Sequence, residues 1–222
     1  MARLSQRGNL WLADTLWKLG AIEFGDFTLG QTAVHSPVHV NLRLLVSKPT
    51  ALQRAARVIR DEVEARRRML NPQVAPFQLV AGVPFGGLHL ATAFSLSAKV
   101  PLIYLRTRRP KSAQIEGLYE PGQTVLIIDD LVTGGHSIVD TAERLEKAGL
   151  QVRDAVVLMD RQQGGRQRLK RHGINLISVL TLEVVLNYLM SSGKISEEWY
   201  RRSLDYLKAN RGGLGRHDRR EK

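Results

Sequence analysis

The chain has 222 residues, 43% of them apolar and 24% charged, with a net charge of +12, which bounds it to roughly one large soluble domain able to bury its own core. The absence of cysteine excludes disulfides, thiolate metal sites and cysteine nucleophiles. No apolar run approaches the ~20 residues of a membrane span, and a cytoplasmic protein is expected.

The opening stretch MARLSQRGNLWLADTLWKLG carries Asp14 and reads as an amphipathic helix rather than a signal peptide. FGDFTLGQTAVHSPVHVNLRLL follows as an extended region, and VHVNLRL alternates like a half-exposed strand. RVIRDEVEARRRML (57–70) predicts a long basic helix. Together these form a hood of about 1–70 on a core of about 71–190. In the core, FQLVAGV (77–83), PLIYLR (101–106), TVLIID (124–129), DAVVLMD (154–160) and INLISVL (174–180) are near-continuous apolar runs, as in strands covered on both faces. Helical patterns separate most of them: LHLATAFSLSAK (88–99), and SIVDTAERLEKAG (137–149) with Gly149 as its cap. The stretch between 106 and 124 is polar and turn-rich and predicts a loop or short hairpin. ISEEWYRRSLDYLKAN (195–210) is a last amphipathic helix, and RGGLGRHDRREK (211–222) a basic tail expected to be disordered. Alternating strands and helices predict an α/β fold with a mostly parallel central sheet. The basic runs attract polyanions, but no aromatic residues interleave with their arginines. A solvated helix face is therefore favoured over a nucleic-acid surface.

VLIIDDLVTGGHS (125–137) carries the chemistry. A strand ends on Asp129 and Asp130, and a helix begins near Ser137. Ligands of open α/β sheets sit beyond the carboxyl ends of the strands. A glycine-containing turn leading into a helix N-terminus cradles phosphate through backbone N–H groups. Two carboxylates beside it would repel phosphate but accept hydrogen bonds from vicinal hydroxyls. The joint demand is a phosphorylated sugar. GGHS lacks the lysine of a P-loop, and no G-x-G-x-x-G occurs. Adjacent strand residues point to opposite faces, which disfavours a metal-only carboxylate pair.

This motif resembles the phosphoribosyl pyrophosphate (PRPP) motif of type I phosphoribosyltransferases. The wider chain resembles the orotate phosphoribosyltransferases: FGDFTLGQTAVHSPVHVNLRLLVSKP (24–49) is similar to their N-terminal stretch, AGVPFGGLHLATA (81–93) to their pyrophosphate-loop region, and VVLMDRQQGG (156–165) to their Asp-Arg turn. The resemblance implies attack of orotate on the anomeric carbon of PRPP through an oxocarbenium-like transition state, with Mg²⁺ held through PRPP and the acids. It implies Asp129 and Asp130 on the ribose hydroxyls, Leu131 and Val132 in contact with PRPP, and Thr133, Gly134, Gly135, His136 and Ser137 around the 5′-phosphate, Thr133 also near orotate. Gly86 and Gly87, in the turn 82–87, would bind pyrophosphate. Arg161 would pair with the orotate carboxylate. Arg106 would contact pyrophosphate in its own or a neighbouring subunit's site. A homodimer is implied as well.

Three departures qualify the likeness. The family's catalytic loop is shorter here, RTRRPKSAQIEG (106–117), with Thr107 at a usual lysine position. Gly30 or Gln31 takes the place of a lysine near the start, and Asn41 that of an aspartate. A weak enzyme is therefore expected. Two alternatives stay open: a PRPP- or nucleotide-binding regulator that has lost catalysis and uses its basic surface on RNA, and a phosphoribosyltransferase for another base. His35 and His39 are read as exposed strand histidines, His136 as a polar member of the phosphate loop, Phe85 as packed beside the pyrophosphate turn, and the tryptophans as packing residues.

Overall fold

The computed structural model describes residues 8–29, 33–106 and 115–211. In chain order the elements are α1 (Leu10–Lys18), β1 (Ile22–Leu29), β2 (Ala33–Val40), a 3-10 helix (Leu42–Ser47), α2 (Pro49–Arg67), β3 (Leu79–Gly82), α3 (Gly86–Ala98), β4 (Leu102–Leu105), β5 (Ile115–Glu116), β6 (Thr124–Val132), α4 (His136–Lys147), β7 (Gln151–Asp160), α5 (Gly165–Arg171), β8 (Asn175–Thr181), α6 (Leu182–Ser191) and α7 (Glu197–Asn210).

The main sheet has the order β5-β4-β3-β6-β7-β8, parallel except for the antiparallel β4–β5 edge. The predicted α/β sheet is therefore present. All five apolar runs contain strands, and the described part of the 106–124 connection holds the short strand β5, antiparallel to β4. Along β6 the side chains alternate. Leu126 and Ile128 join the core formed with α1, α2, α3, α6 and α7, whereas Val125 and Ile127 face Ile138, Ala142 and Leu145 of α4. Helices thus cover both faces, which is why these strands read as continuous apolar runs.

The extended region of the hood is a two-stranded antiparallel hairpin, β1–β2, with register shifts after Phe24 and after Phe27. His35 has φ 51° and lies in this irregular part. Trp17, Phe24 and Trp199 stack in series at 6.4 and 5.8 Å, seating the hairpin between α1 and α7, so these two tryptophans are packing residues. The basic helix α2 packs on α3 and buries Ala55, Ala56, Ile59 and Val63 in the core. Just past its end the outward Arg68 pairs with Glu64 of the helix at 3.3 Å, whereas the Arg66–Glu62 pair, at 2.6 Å, is mostly buried. The first of these pairs fits a solvated face.

Two helices escaped the sequence reading. α6 follows β8 without a break, so LTLEVVLNYL offers no change of period to mark where the strand ends. Its start is set by Thr181, whose side chain accepts the Val184 N–H at 3.3 Å. α5 has only seven residues. No described helix is long and apolar enough to cross a membrane.

Candidate active site

The chain leaves β3 toward β4 on one side, and continues from β6 to β7 and β8 on the other. The strand order therefore reverses between β3 and β6, where open α/β sheets bind ligands. A cleft of about 310 Å³ lies there, lined by Val40–Arg43, Val83–Gly86 and the whole run Asp129–Ile138. That volume is at the lower end of small-molecule sites.

The register explains how the acids reach this cleft. Gly82, the last residue of β3, pairs with Ile128, and the Val83 N–H donates to the Ile128 carbonyl at 3.0 Å. β3 has ended where β6 still runs on, so Asp129 and Asp130 lie beside the first turn of α3. Gly86 and Gly87 are glycines for this reason. A Cβ on Gly86 would stand 2.6 Å from Asp130 Oδ1, and one on Gly87 would lie 2.8 Å from the Cα of Asp129. The close approach that they permit is to the acids of β6. Gly86 lines the cleft, and Gly87 is buried beneath it.

Asp129 is 6% exposed and Asp130 is half-buried. The Asp130 N–H donates to Asp129 Oδ1 at 2.8 Å, and the Gly87 N–H also donates to this carboxylate. The two side chains interact directly, although neighbouring strand residues were expected to diverge. Burial, and then the Asp130 carboxylate, push the Asp129 carboxyl well above the usual carboxylate range; the two N–H groups oppose that shift. A pair of this kind calls for hydroxyl donors or a cation.

On the other side of the acids, β6 turns through Thr133, Gly134 and Gly135 into α4. Gly135 has φ +81°, a conformation that favours glycine. The turn is braced from outside. The Gly165 N–H donates to the Thr133 carbonyl at 2.9 Å, and Arg168 Nε donates to the Gly134 carbonyl at 2.9 Å. The result is a rigid turn opening onto a helix N-terminus, with free backbone dipole for an anion.

Residues 49–177 match the family described as Phosphoribosyl transferase domain. Over 187 residues the chain is 39% identical to "Orotate phosphoribosyltransferase" of Chlamydia caviae, covering 82% of this chain and 86% of that protein. The chain belongs to the orotate phosphoribosyltransferase family. It is also 38% identical over 202 residues to "Uridine 5′-monophosphate synthase" of Bos taurus, covering 90% of this chain and 40% of the longer protein. Among solved structures, orotate phosphoribosyltransferase from Aeropyrum pernix superposes with a TM-score of 0.68 at 33% identity, over 81% of this chain and 99% of that one. UMP synthase of Leishmania donovani superposes with a TM-score of 0.79 at 34% identity, over 90% of this chain and 42% of that one.

In this member of the orotate phosphoribosyltransferase family, every predicted residue from Asp129 to Ser137 lines one cleft. Arg161 and Arg106 do not. Arg161 follows β7, is 2% exposed, and donates from Nη2 to Ser36 Oγ at 3.0 Å and to the Val38 carbonyl at 3.1 Å. It ties the hood strand β2 to the sheet. Its Nε is buried with no partner among the described residues, and burial lowers its pKa. Arg106 pairs with Glu116 at 3.2 Å across the β4–β5 hairpin. The segment 107–114, which holds the loop departures, lies outside the described residues, as do Gly30, Gln31 and the tail from 212.

His35 is exposed, as expected, and pairs with Asp26 at 3.1 Å. His39 is not exposed. It stacks on Phe27 at 5.5 Å, and its Nδ1 is buried without a partner among the described residues. Burial lowers its pKa, helped by the charges of Arg161 and Arg43 and opposed by Glu23. Phe85 does not pack inward; it is 66% exposed at the cleft rim. Arg43 was not singled out from the sequence, yet it lines the cleft. The arginine of the Asn-Leu-Arg triplet was the available signal.

The close seating of α3 gives a first expected result. In Gly87→Ala the new methyl would press on the backbone of Ile128 and Asp129, so α3 must shift. A loss of about 1–3 kcal/mol in stability is expected, in the range of overpacked cores. PRPP binding should weaken with it, because Asp129 loses the Gly87 N–H. Urea denaturation and calorimetry on the same variant measure both.

Proposed function

We propose that this chain transfers the phosphoribosyl group of PRPP to orotate, giving orotidine 5′-monophosphate and pyrophosphate. The observation that carries the assignment is the unbroken stretch Asp129–Ser137, which lines one cleft with an acidic pair at one end and a braced glycine turn at the other.

The chemistry distributes as follows. The N–H groups of the turn 133–137 and the α4 N-terminus hold the 5′-phosphate. Asp129 and Asp130 accept the ribose hydroxyls, which fixes the anomeric carbon over the cleft. Orotate attacks that carbon through a ring nitrogen that gives up its proton to solvent, the bond to pyrophosphate breaks, and its electron pair leaves on the pyrophosphate oxygen. Cationic character on the ribose is largest between these events, next to the two carboxylates. Positioning and charge stabilisation are therefore what the protein supplies. Arg161 lies beneath β2 with an unused Nε–H, and a guanidinium fork suits the planar orotate carboxylate. Reaching it requires the carboxylate to enter beside Ser36 and Val38.

Magnesium fits this donor set. No group of three metal-binding side chains occurs among the described residues. Mg²⁺ takes one or two carboxylates and completes its shell with phosphate oxygens and water. Asp129 and Asp130 would hold it jointly with PRPP, and it would offset the charge of the leaving pyrophosphate. A homodimer and a cytoplasmic site of action belong to the same proposal.

Thermal unfolding with ligands tests the site. PRPP with Mg²⁺ and orotidine 5′-monophosphate should each raise Tm in a concentration-dependent way, because both carry the ribose 5-phosphate unit. NAD and ATP at equal concentration should not. Equal stabilisation by ATP would contradict the assignment.

A further inference from the structure

We infer that Arg43 is the cationic group that receives the pyrophosphate end of PRPP; this rests on the PRPP assignment of the cleft. Four observations converge. The first is charge. PRPP is an anion at both ends, and the cleft already holds Asp129 and Asp130. Among the described residues that line it, Arg43 is the only lysine or arginine.

The second is availability. Arg161 is buried and bonded to β2, and Arg106 is paired with Glu116. Arg43 is exposed and makes no hydrogen bond or ion pair with a described residue. An unpaired guanidinium in a cleft is a preformed fork for phosphate oxygens.

The third is placement. The hood crosses the carboxyl edge of the sheet. Ser36 and Val38 of β2 sit on Arg161 at the end of β7, whereas the 3-10 helix bearing Arg43 packs on β6 and α3. Because β3 and β7 flank β6 on opposite sides, Arg43 stands toward the β3 turn, Val83–Gly86, and Arg161 toward the far side. With the 5′-phosphate on the turn 133–137 and the ribose on the acids, the β3 side is left for pyrophosphate and the β7 side for the base.

The fourth is what the β3 turn lacks. The Gly87 N–H, which could have met pyrophosphate, is already directed at Asp129. A cation from the hood supplies what this turn does not.

The test uses the full-length protein and three probes by calorimetry with Mg²⁺ present: inorganic pyrophosphate, PRPP and orotidine 5′-monophosphate. The last carries the base carboxylate and 5′-phosphate but no pyrophosphate. Arg43→Ala should weaken pyrophosphate and PRPP by about tenfold to a hundredfold, the worth of a charged hydrogen bond. Orotidine 5′-monophosphate should bind as to the wild type. Arg43→Lys should recover part of the loss, as a point charge without the fork. Tm of both variants should match the wild type, since Arg43 is exposed. Unchanged pyrophosphate affinity in Arg43→Ala overturns the inference, as does a loss confined to, or shared equally by, orotidine 5′-monophosphate. If the wild type binds neither PRPP nor pyrophosphate, the PRPP assignment itself fails and the inference falls with it.

Discussion

Exchanging Asp129 and Asp130 together for asparagine is expected to weaken PRPP binding by about a hundredfold or more, while the fold survives. Each carboxylate offers charge-assisted hydrogen bonds to ribose hydroxyls, worth about 1.5–3 kcal/mol apiece, and each ~1.4 kcal/mol is a factor of ten. The fold should tolerate the exchange because asparagine keeps an acceptor oxygen. At position 129 that oxygen can still receive the N–H groups of Asp130 and Gly87. The exchange also removes the like-charge contact between the side chains. Burial raises the Asp129 pKa in the folded state above its unfolded value. The stability linked to this group is therefore full below the unfolded pKa and is lost as pH rises through the folded one. Asp129→Asn abolishes that loss. Relative to the wild type, its stability should improve from a pH below the ordinary carboxylate range to a pH well above it. Urea denaturation at both pH values measures this, and calorimetry measures PRPP. Unchanged PRPP affinity in the double variant would remove the ribose role.

Arg161→Ala should raise the KM for orotate by about a hundredfold or more while PRPP still binds. A site built around a buried guanidinium discriminates strongly, because a substrate without the matching group leaves it unpaired. The wild type should therefore reject uracil, and the variant should lose most of its preference for orotate over uracil. Arg161 also holds β2, so some loosening of the hood is expected. Ser36 Oγ keeps its bond to the Val38 carbonyl at 2.8 Å, and the Trp17–Phe24–Trp199 stack remains. Affinity for ribose 5-phosphate, which lacks the pyrophosphate that meets the hood, separates the two effects, since Asp129–Ser137 runs from β6 into α4 rather than along the hood. If the variant used orotate as well as the wild type does, the carboxylate assignment would fail.

The sheet was legible because each of its main strands is an apolar run bounded by turn residues. The cleft was legible because VLIIDDLVTGGHS holds acids, turn and helix start in one continuous piece. What sequence reasoning missed depends on register between distant segments. That β3 stops opposite Ile128 puts Asp129 under α3 and makes Gly86 and Gly87 neighbours of the acids; nothing local to either segment states it. Arg161 was readable as an arginine at a strand end, but its burial under Ser36 and Val38 is set by a hairpin more than a hundred residues earlier in the chain. Arg43 sits in a 3-10 helix with no strong period, so its place in the cleft follows only from how that helix packs. The α6 boundary was hidden because strand and helix share one apolar run.

Catalysis itself is the most direct test. Incubating the protein with PRPP, Mg²⁺ and orotate, and following both pyrophosphate release and orotate consumption, should give the two in equal amounts. Uracil, adenine and hypoxanthine in parallel should give little or none. Turnover is expected to be slow for the family, given the shortened loop and Thr107. Pyrophosphate release with another base in preference to orotate, or with no base at all in the panel, would contradict the account.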